Sequence, residues 1–164
     1  MLSVLALRVG MALADALEPL VDGPIGLKWP NDLLVQGGKL AGILIEARWR
    51  DGQPEWVAIG IGVNRLADDV PIDRPIATVR TGVTPEDLLA AIVAPVRSAA
   101  AARGLLTAVE CDRWAARDAA SGRRTVQPVA GTVEGITAAG GVRIRSADGL
   151  VQTVQSGSLE LESA

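Results

Sequence analysis

Lys28-Trp29-Pro30-Asn31-Asp32-Leu33-Leu34-Val35-Gln36-Gly37-Gly38-Lys39-Leu40-Ala41-Gly42-Ile43 is the run of sequence on which the fold turns. Two lysines, a carboxamide and a carboxylate interrupt an otherwise apolar, strand-like segment. Left without partners inside a sheet, each would cost roughly 1–3 kcal/mol, so they are expected to face a cleft. Pro30 cannot donate to a strand ladder and favours an extended Trp29, which makes 29–31 a strand end or kink that aims Asn31 and Asp32 sideways. Gly37-Gly38 reads as a two-residue hairpin turn that returns Lys39 beside the preceding strand. The product is a mixed-charge pocket wall, with ammonium groups for an anion and a carboxylate and amide for a metal ion or hydroxyls.

Upstream, Leu2, Leu5, Val9, Leu13, Leu17 and Leu20 recur at spacings of three and four, with Arg8, Asp15 and Glu18 off the stripe, as in an amphipathic helix. No capping residue precedes it, which reads as a sign of missing upstream sequence. Downstream, Asp51-Gly52 signals a second hairpin, and Trp49 and Trp56 flank it in position to pack as a pair. In the next strand, Glu55 to Asn64, Val57, Ile59, Ile61 and Val63 share one face and Ala58, Gly60 and Gly62 the other. A face without side chains implies close approach of a packed helix or of a ligand, and both readings stand.

After Arg65 the sequence is loop-like through Asp68-Asp69, Pro71 and Pro75. Thr84-Pro85-Glu86-Asp87 then has the N-cap, first-position proline and first-turn acids of a helix start. Leu88, Ile92, Val96 and Ala99 form its stripe and Gly104 its stop; a second helix is expected over Thr107 to Arg117, with Val109 and Trp114 in the core. From Arg124, five short alternating runs separated by Gly140-Gly141, Asp148-Gly149 and Gly157 suggest a small β-barrel.

Length and composition bound the function. With 164 residues, 49% hydrophobic, the chain holds one ordinary domain or a core of roughly 120 residues plus an appendage. Four Trp and no Phe or Tyr make that core aliphatic. The absence of histidine excludes Ser-His-Asp and Cys-His nucleophiles and histidine metal sites. Cys111 alone supports neither disulfides nor a thiolate cluster, so cytoplasmic residence is the default. A net charge of −3 offers no general attraction for nucleic acid. The N-terminus lacks a basic n-region and no run of about 18 apolar residues exists, which argues against a signal peptide and a membrane span. Gly37-Gly38-Lys39 lacks the spacing and the Ser/Thr of a phosphate loop.

Three linked motifs, Lys28-Trp-Pro-Asn-Asp32, Lys39-Leu-Ala-Gly-Ile-Leu-Ile-Glu46 and Ile59-Gly-Ile-Gly-Val-Asn64, resemble in order and spacing the central motifs of biotin–protein ligases. The C-terminal strand pattern resembles that family's SH3-like module. The resemblance implies an α+β fold in which a mixed β-sheet carries helices on one face and a small SH3-like barrel follows. It divides the chain into a partial catalytic domain, 1–120, and a C-terminal domain, 121–164. The implied activity is adenylation of biotin with ATP and transfer of biotin to a lysine of a biotin carboxyl-carrier protein; the alternative is a non-catalytic, truncated ligase-like protein. A lipoate-type ligase fits the motifs less well.

By the same resemblance, Lys39 lies against the biotin carboxylate and the ATP α-phosphate and, with Asp32, is catalytic. Gly42 and Gly60 admit biotin to the backbone. Lys28, Asn31, Asp32 and Asn64 bind ATP, with Asp32 also on Mg²⁺. Read alone, Lys39 is equally a solvated lysine after a turn, Asn31 and Asp32 an Asx turn, Lys28 a strand-edge charge and Asn64 strand-terminal turn chemistry. Lys39 and Gly42 fall on opposite faces of a regular strand, so they share a pocket only across a bulge or if Gly42 contributes backbone alone. Residues 1–27 carry no counterpart of the family's Gly/Arg-rich biotin loop, and no helix-turn-helix supports a repressor role. Neither nucleic acid nor membrane is an expected partner, and a homodimer is compatible with the reading.

Overall fold

The computed structural model describes residues 2–66 and 75–162. Helix α1 (Leu2–Leu17) and a 3-10 turn (Glu18–Leu20) lead into four strands, β1 (Ile25–Lys28), β2 (Asp32–Val35), β3 (Gly38–Arg50) and β4 (Gln53–Val63). Helices α2 (Pro85–Ala101) and α3 (Ala108–Ala115) follow, then β5 (Arg124–Gln127), β6 (Gly131–Ile136), β7 (Val142–Arg145), β8 (Val151–Val154) and β9 (Glu160–Leu161). The strands form two antiparallel sheets, ordered β1-β2-β3-β4 and β8-β7-β6-β5-β9. The first sheet is therefore not the mixed sheet expected. Its connections are turns of two or three residues, which can join only antiparallel neighbours. Among the described residues, parallel pairing is confined to the isolated bridges Leu27–Asp118 and Lys39–Ile76. The expected loop at 65–75 lies mostly outside the described residues.

Three turns shape the first sheet. Trp29-Pro30-Asn31 is itself a hairpin turn between β1 and β2, with Lys28 paired opposite Asp32. The following turn sits one residue earlier than its glycine pair suggests, on Gln36 (φ 50°) and Gly37 (φ 81°). Positive φ at both central residues is the primed turn that matches strand twist. Gly38 is instead the first residue of β3, and it is glycine for a different reason. A Cβ there would lie 2.8 Å from the Ile76 carbonyl carbon and 2.9 Å from Ala77 N. Those are backbone atoms that cannot swing aside, so Gly38→Ala is expected to destabilise the fold by ~1–3 kcal/mol, measured by urea denaturation. The third turn, Asp51-Gly52, has φ of 50° and 75° as its sequence promises. Beyond it a register shift places Trp49 opposite Pro54 and Trp56 opposite Arg48, so the two tryptophans do not pair.

One face of the sheet is dry: Ile25, Leu27, Leu33, Val35, Leu40, Ala41 and Ile43 are buried against α1. Nine residues of α1 are buried, more than one stripe allows, because α2 and α3 cover it from behind. Arg8, off the stripe and expected in solvent, is consequently only 6% exposed. Its Nε donates to Glu110 Oε1 at 2.6 Å, and its other nitrogens donate to the Gly104 and Leu105 carbonyls. Glu110 also closes a capping box with Thr107 at the start of α3. Thr84 and Asp87 make the matching box at α2, where the sequence signals it. In α3, Trp114 is buried as expected, but Val109 is 67% exposed; a helix of eight residues beside α1 turns only one face inward.

The five C-terminal strands fall where the alternating runs place them, in a sheet whose edge strands β8 and β9 are not paired to one another. The turn after β6 docks on the first layer. Trp29 Nε1 donates to the Gly140 carbonyl at 2.9 Å, and Leu106 N donates to the Ala138 carbonyl at 2.8 Å. Buried Trp29, inside the signature hairpin, thus joins the two sheets.

Candidate functional site

The opposite face of the first sheet carries the polar groups. Cross-strand partners share a face, and the pairs are Lys28–Asp32, Asp32–Gly42, Leu34–Lys39, Gly42–Gly62 and Leu44–Gly60. All of these side chains therefore point away from α1. Lys39 reaches this face because a bulge intervenes: Leu33 pairs with Ala41 while Leu34 pairs with Lys39, so Leu40 is the extra residue. Leu40 and Ala41 are both buried, the signature of the skipped alternation. The parity conflict between Lys39 and Gly42 is resolved by that one inserted residue.

The bulge is held from several sides. Lys39 N donates to the Pro75 carbonyl at 2.8 Å, and its own carbonyl accepts from Ala77 N at 3.0 Å and from Asn64 Nδ2 at 2.7 Å. Asn64 N donates to the Leu40 carbonyl at 2.8 Å. Asn31 does the same service one step along, its Nδ2 donating to the Ile43 carbonyl at 2.7 Å. Each asparagine therefore commits one amide hydrogen to fixing β3, and its second amide hydrogen and its carboxamide oxygen are what remains for a ligand. Nothing in the linear motif signals this, because each bond spans 12 or 25 residues.

Held in this way, Lys39 lays its chain across Gly42. A Cβ on Gly42 would stand 3.2 Å from Lys39 Nζ and 3.3 Å from Cε. The space over this glycine is thus occupied by the lysine, which bears on the expectation that biotin approaches the backbone there. The ammonium lies 2.5 Å from Asp32 Oδ1, and Lys28 Nζ lies 4.0 Å from Asp32 Oδ2. Asp32 is 15% exposed and Lys39 45%, so the carboxylate forms the floor and the ammonium the mouth. Beyond them a Cβ added at Gly60 would meet only Leu44, at 3.7 Å, and one added at Gly62 would meet none of the described residues within 4 Å. Among the described residues no helix packs on the glycine face, which removes one of its two explanations.

Lys28, Asp32, Leu34 and Lys39 line a cleft of about 380 Å³ whose other wall comes from the second sheet, through Arg123, Leu159, Glu160 and Leu161. The site is therefore composed of both layers. Among the described residues no three Asp, Glu or Cys side chains gather in one place to hold a metal ion. Asp32 would hold Mg²⁺ only together with ligand oxygens and water, the arrangement this small cation ordinarily adopts. Cys111 lies away from the cleft on α3, where burial raises its pKa and keeps the thiol protonated.

Comparison with known proteins agrees with this geometry. Residues 1–64 match the model of the biotin/lipoate A/B protein ligase family. The chain is 49% identical over 63 residues to a biotin–[acetyl-CoA-carboxylase] ligase of Mycobacterium tuberculosis, covering 37% of this chain and 22% of that protein. It is 45% identical over 78 residues to the ligase of the same name from Paracoccus denitrificans, covering 45% and 32%. The matched segments thus span less than a third of these relatives' lengths. In three dimensions the apo biotin protein ligase of Aquifex aeolicus superposes with a TM-score of 0.79 at 22% identity, covering 99% of this chain and 76% of that one. The same enzyme in complex with biotin and ATP gives 0.75 at 20% identity, covering 99% and 72%. These superpositions show a shared fold across both sheets. Residues 1–64, which carry the three motifs, thus resemble the biotin/lipoate A/B protein ligase family, and the whole chain shares its fold with a biotin protein ligase.

Proposed function

We propose that the chain is a biotin–protein ligase or the greater part of one, activating biotin with ATP to biotinyl-5′-AMP and transferring it to a lysine of a biotin carboxyl-carrier protein. The observation that carries this reading is the convergence of Lys28, Asp32 and Lys39 beside the bare glycine face, produced by the bulge at Leu40. Bare backbone lets the fused ring of the vitamin come close to the strand, and paired ammonium groups suit a carboxylate and a polyphosphate.

In this reading Lys39 turns its ammonium from Asp32 to the two anions that must meet. It stabilises the charge that grows at the α-phosphate as the biotin carboxylate oxygen attacks phosphorus and pyrophosphate leaves. Lys28 holds phosphate oxygens, while Asn31 and Asn64 keep β3 in place and meet the nucleotide through the amide hydrogen and oxygen that these bonds leave open. Mg²⁺, when bound at Asp32, neutralises phosphate charge. Gly60 is the position at which biotin approaches the backbone, and Gly42 serves by letting Lys39 lie flat. Residues 1–120 form the catalytic portion and 121–164 an SH3-like module that walls the cleft. No helix among the described residues is long and apolar enough to cross a membrane, in keeping with a cytoplasmic site of action.

Equilibrium binding of labelled biotin, measured with and without Mg-ATP and alongside pyrophosphate release, tests the reading. Biotin binding strengthened by Mg-ATP with release of pyrophosphate is the expected result. Biotin binding indifferent to Mg-ATP, with no pyrophosphate, would instead identify a non-catalytic, ligase-like protein.

A further inference from the structure

The cleft has a cation that the signature motifs do not contain. Arg123 belongs to the turn that opens the second sheet, and its backbone is pinned on both sides. Its N–H donates to the Ala120 carbonyl at 3.0 Å, and its carbonyl accepts from Val133 N at 3.0 Å. Its side chain is exposed and lines the same cleft as Lys28 and Lys39, between the Leu34–Gly37 side of the first sheet and strand β9. Its guanidinium makes one hydrogen bond, 3.3 Å to the Glu162 carbonyl, and among the described residues no carboxylate lies within ion-pair distance of it. Neighbouring Arg124 is different: it faces Glu162 at 3.1 Å. Of two adjacent arginines, one is neutralised and the other is left open over the cleft.

The balance of charge in the cleft gives that opening a meaning. Lys28, Lys39 and Arg123 stand against Asp32 and Glu160, and both lysines lie within ion-pair distance of Asp32. Arg123 is therefore the cation most ready to take up a new anion, and its planar fork suits phosphate oxygens in pairs. We propose that Arg123 is a polyphosphate-binding residue, supplied by the C-terminal sheet, that grips the β- and γ-phosphates of the nucleotide across the cleft from Lys28. This rests on the reading of the cleft as a nucleotide site. It gives the C-terminal sheet a direct part in binding the triphosphate, and it explains why that sheet is locked to the signature hairpin through Trp29 and Gly140.

Binding of Mg-ATP and of AMP to the full chain, by calorimetry, tests the assignment in Arg123→Ala, Arg123→Lys and Arg124→Ala. Loss of a charge-assisted pair of hydrogen bonds is expected to weaken Mg-ATP binding about tenfold in Arg123→Ala. AMP binding, biotin binding and the thermal midpoint should stay at wild-type values. Arg123→Lys should recover part of the loss, and Arg124→Ala should bind Mg-ATP normally. Equal loss for Mg-ATP and AMP, or no loss in Arg123→Ala while Lys39→Ala abolishes Mg-ATP binding, overturns the role of Arg123 and leaves the nucleotide site standing. A wild-type chain that binds no Mg-ATP overturns both.

Discussion

Lys39→Ala is expected to lower biotinyl-adenylate formation by at least ~10²-fold while leaving the thermal midpoint nearly unchanged. The size of the effect follows from where the ammonium sits. It would be the positive group nearest to both the attacking carboxylate and the phosphorus, and removing one preorganised charge donor from such a position costs about 10²–10³ in rate. The small effect on stability follows from exposure. Lys39 is 45% exposed and its pairing with Asp32 is solvent-screened, which puts its contribution to folding at about 0–1 kcal/mol. Radiolabelled pyrophosphate exchange reports the chemistry and a thermal melt the fold. Retention of exchange within a few-fold of wild type would remove Lys39 from the reaction. Asn64→Ala should act on the same activity more weakly and indirectly, since it removes the side-chain bond to the Lys39 carbonyl while the backbone bond from residue 64 to the Leu40 carbonyl stays.

Arg8→Ala is expected to cost about 3–5 kcal/mol of stability, because it leaves Glu110 without its partner and two carbonyls without a donor in a nearly closed space. Urea denaturation measures it. The same pair leaves a pH signature. The hydrogen bond from Arg8 holds the Glu110 carboxyl at about 2, against an ordinary value near 4.5. A folded-state pKa lowered in this way contributes stability that is complete above about 4.5 and is lost as pH falls towards 2. Glu18, held at about 2 by its hydrogen bond with Arg117, adds to the loss over the same window. Wild type should therefore lose stability steeply between these limits, and Arg8→Ala should show a shallower slope, because Glu110 then keeps only its bonds with Thr107. A midpoint in urea unchanged by Arg8→Ala would mean that the ion pair is not formed in solution.

The order of elements was legible from local rules. Thr84 and Thr107 open α2 and α3 with their capping boxes, Asp51-Gly52 turns as its composition demands, and the five C-terminal strands follow the alternating runs. The bare face of β4 was legible from the alternation of Gly60 and Gly62 with Ile59, Ile61 and Val63. Less was legible where a contact joins distant segments. Arg8 looked solvent-facing because its partner is 102 residues away, and Gly38 looked like a turn residue because the backbone it accommodates belongs to residues 76 and 77. Val109 was misplaced because periodicity gives the stripe of a helix without saying how much of it a neighbour covers.

By itself the sequence determined the chemical kit: two lysines, a carboxylate and two amides within a short span, glycines opposite branched aliphatics, and no histidine to offer another chemistry. Only the tertiary structure decided how the kit is laid out. Side-chain direction in a strand alternates with every residue, so one inserted residue at Leu40 reverses which groups meet, and that insertion is held by bonds from Pro75, Ala77 and Asn64. Hydrogen bonds of this kind depend on distance in space, and local sequence encodes distance along the chain alone. For the same reason the second wall of the cleft, with Arg123, came into view only once the C-terminal sheet had been folded back onto Trp29.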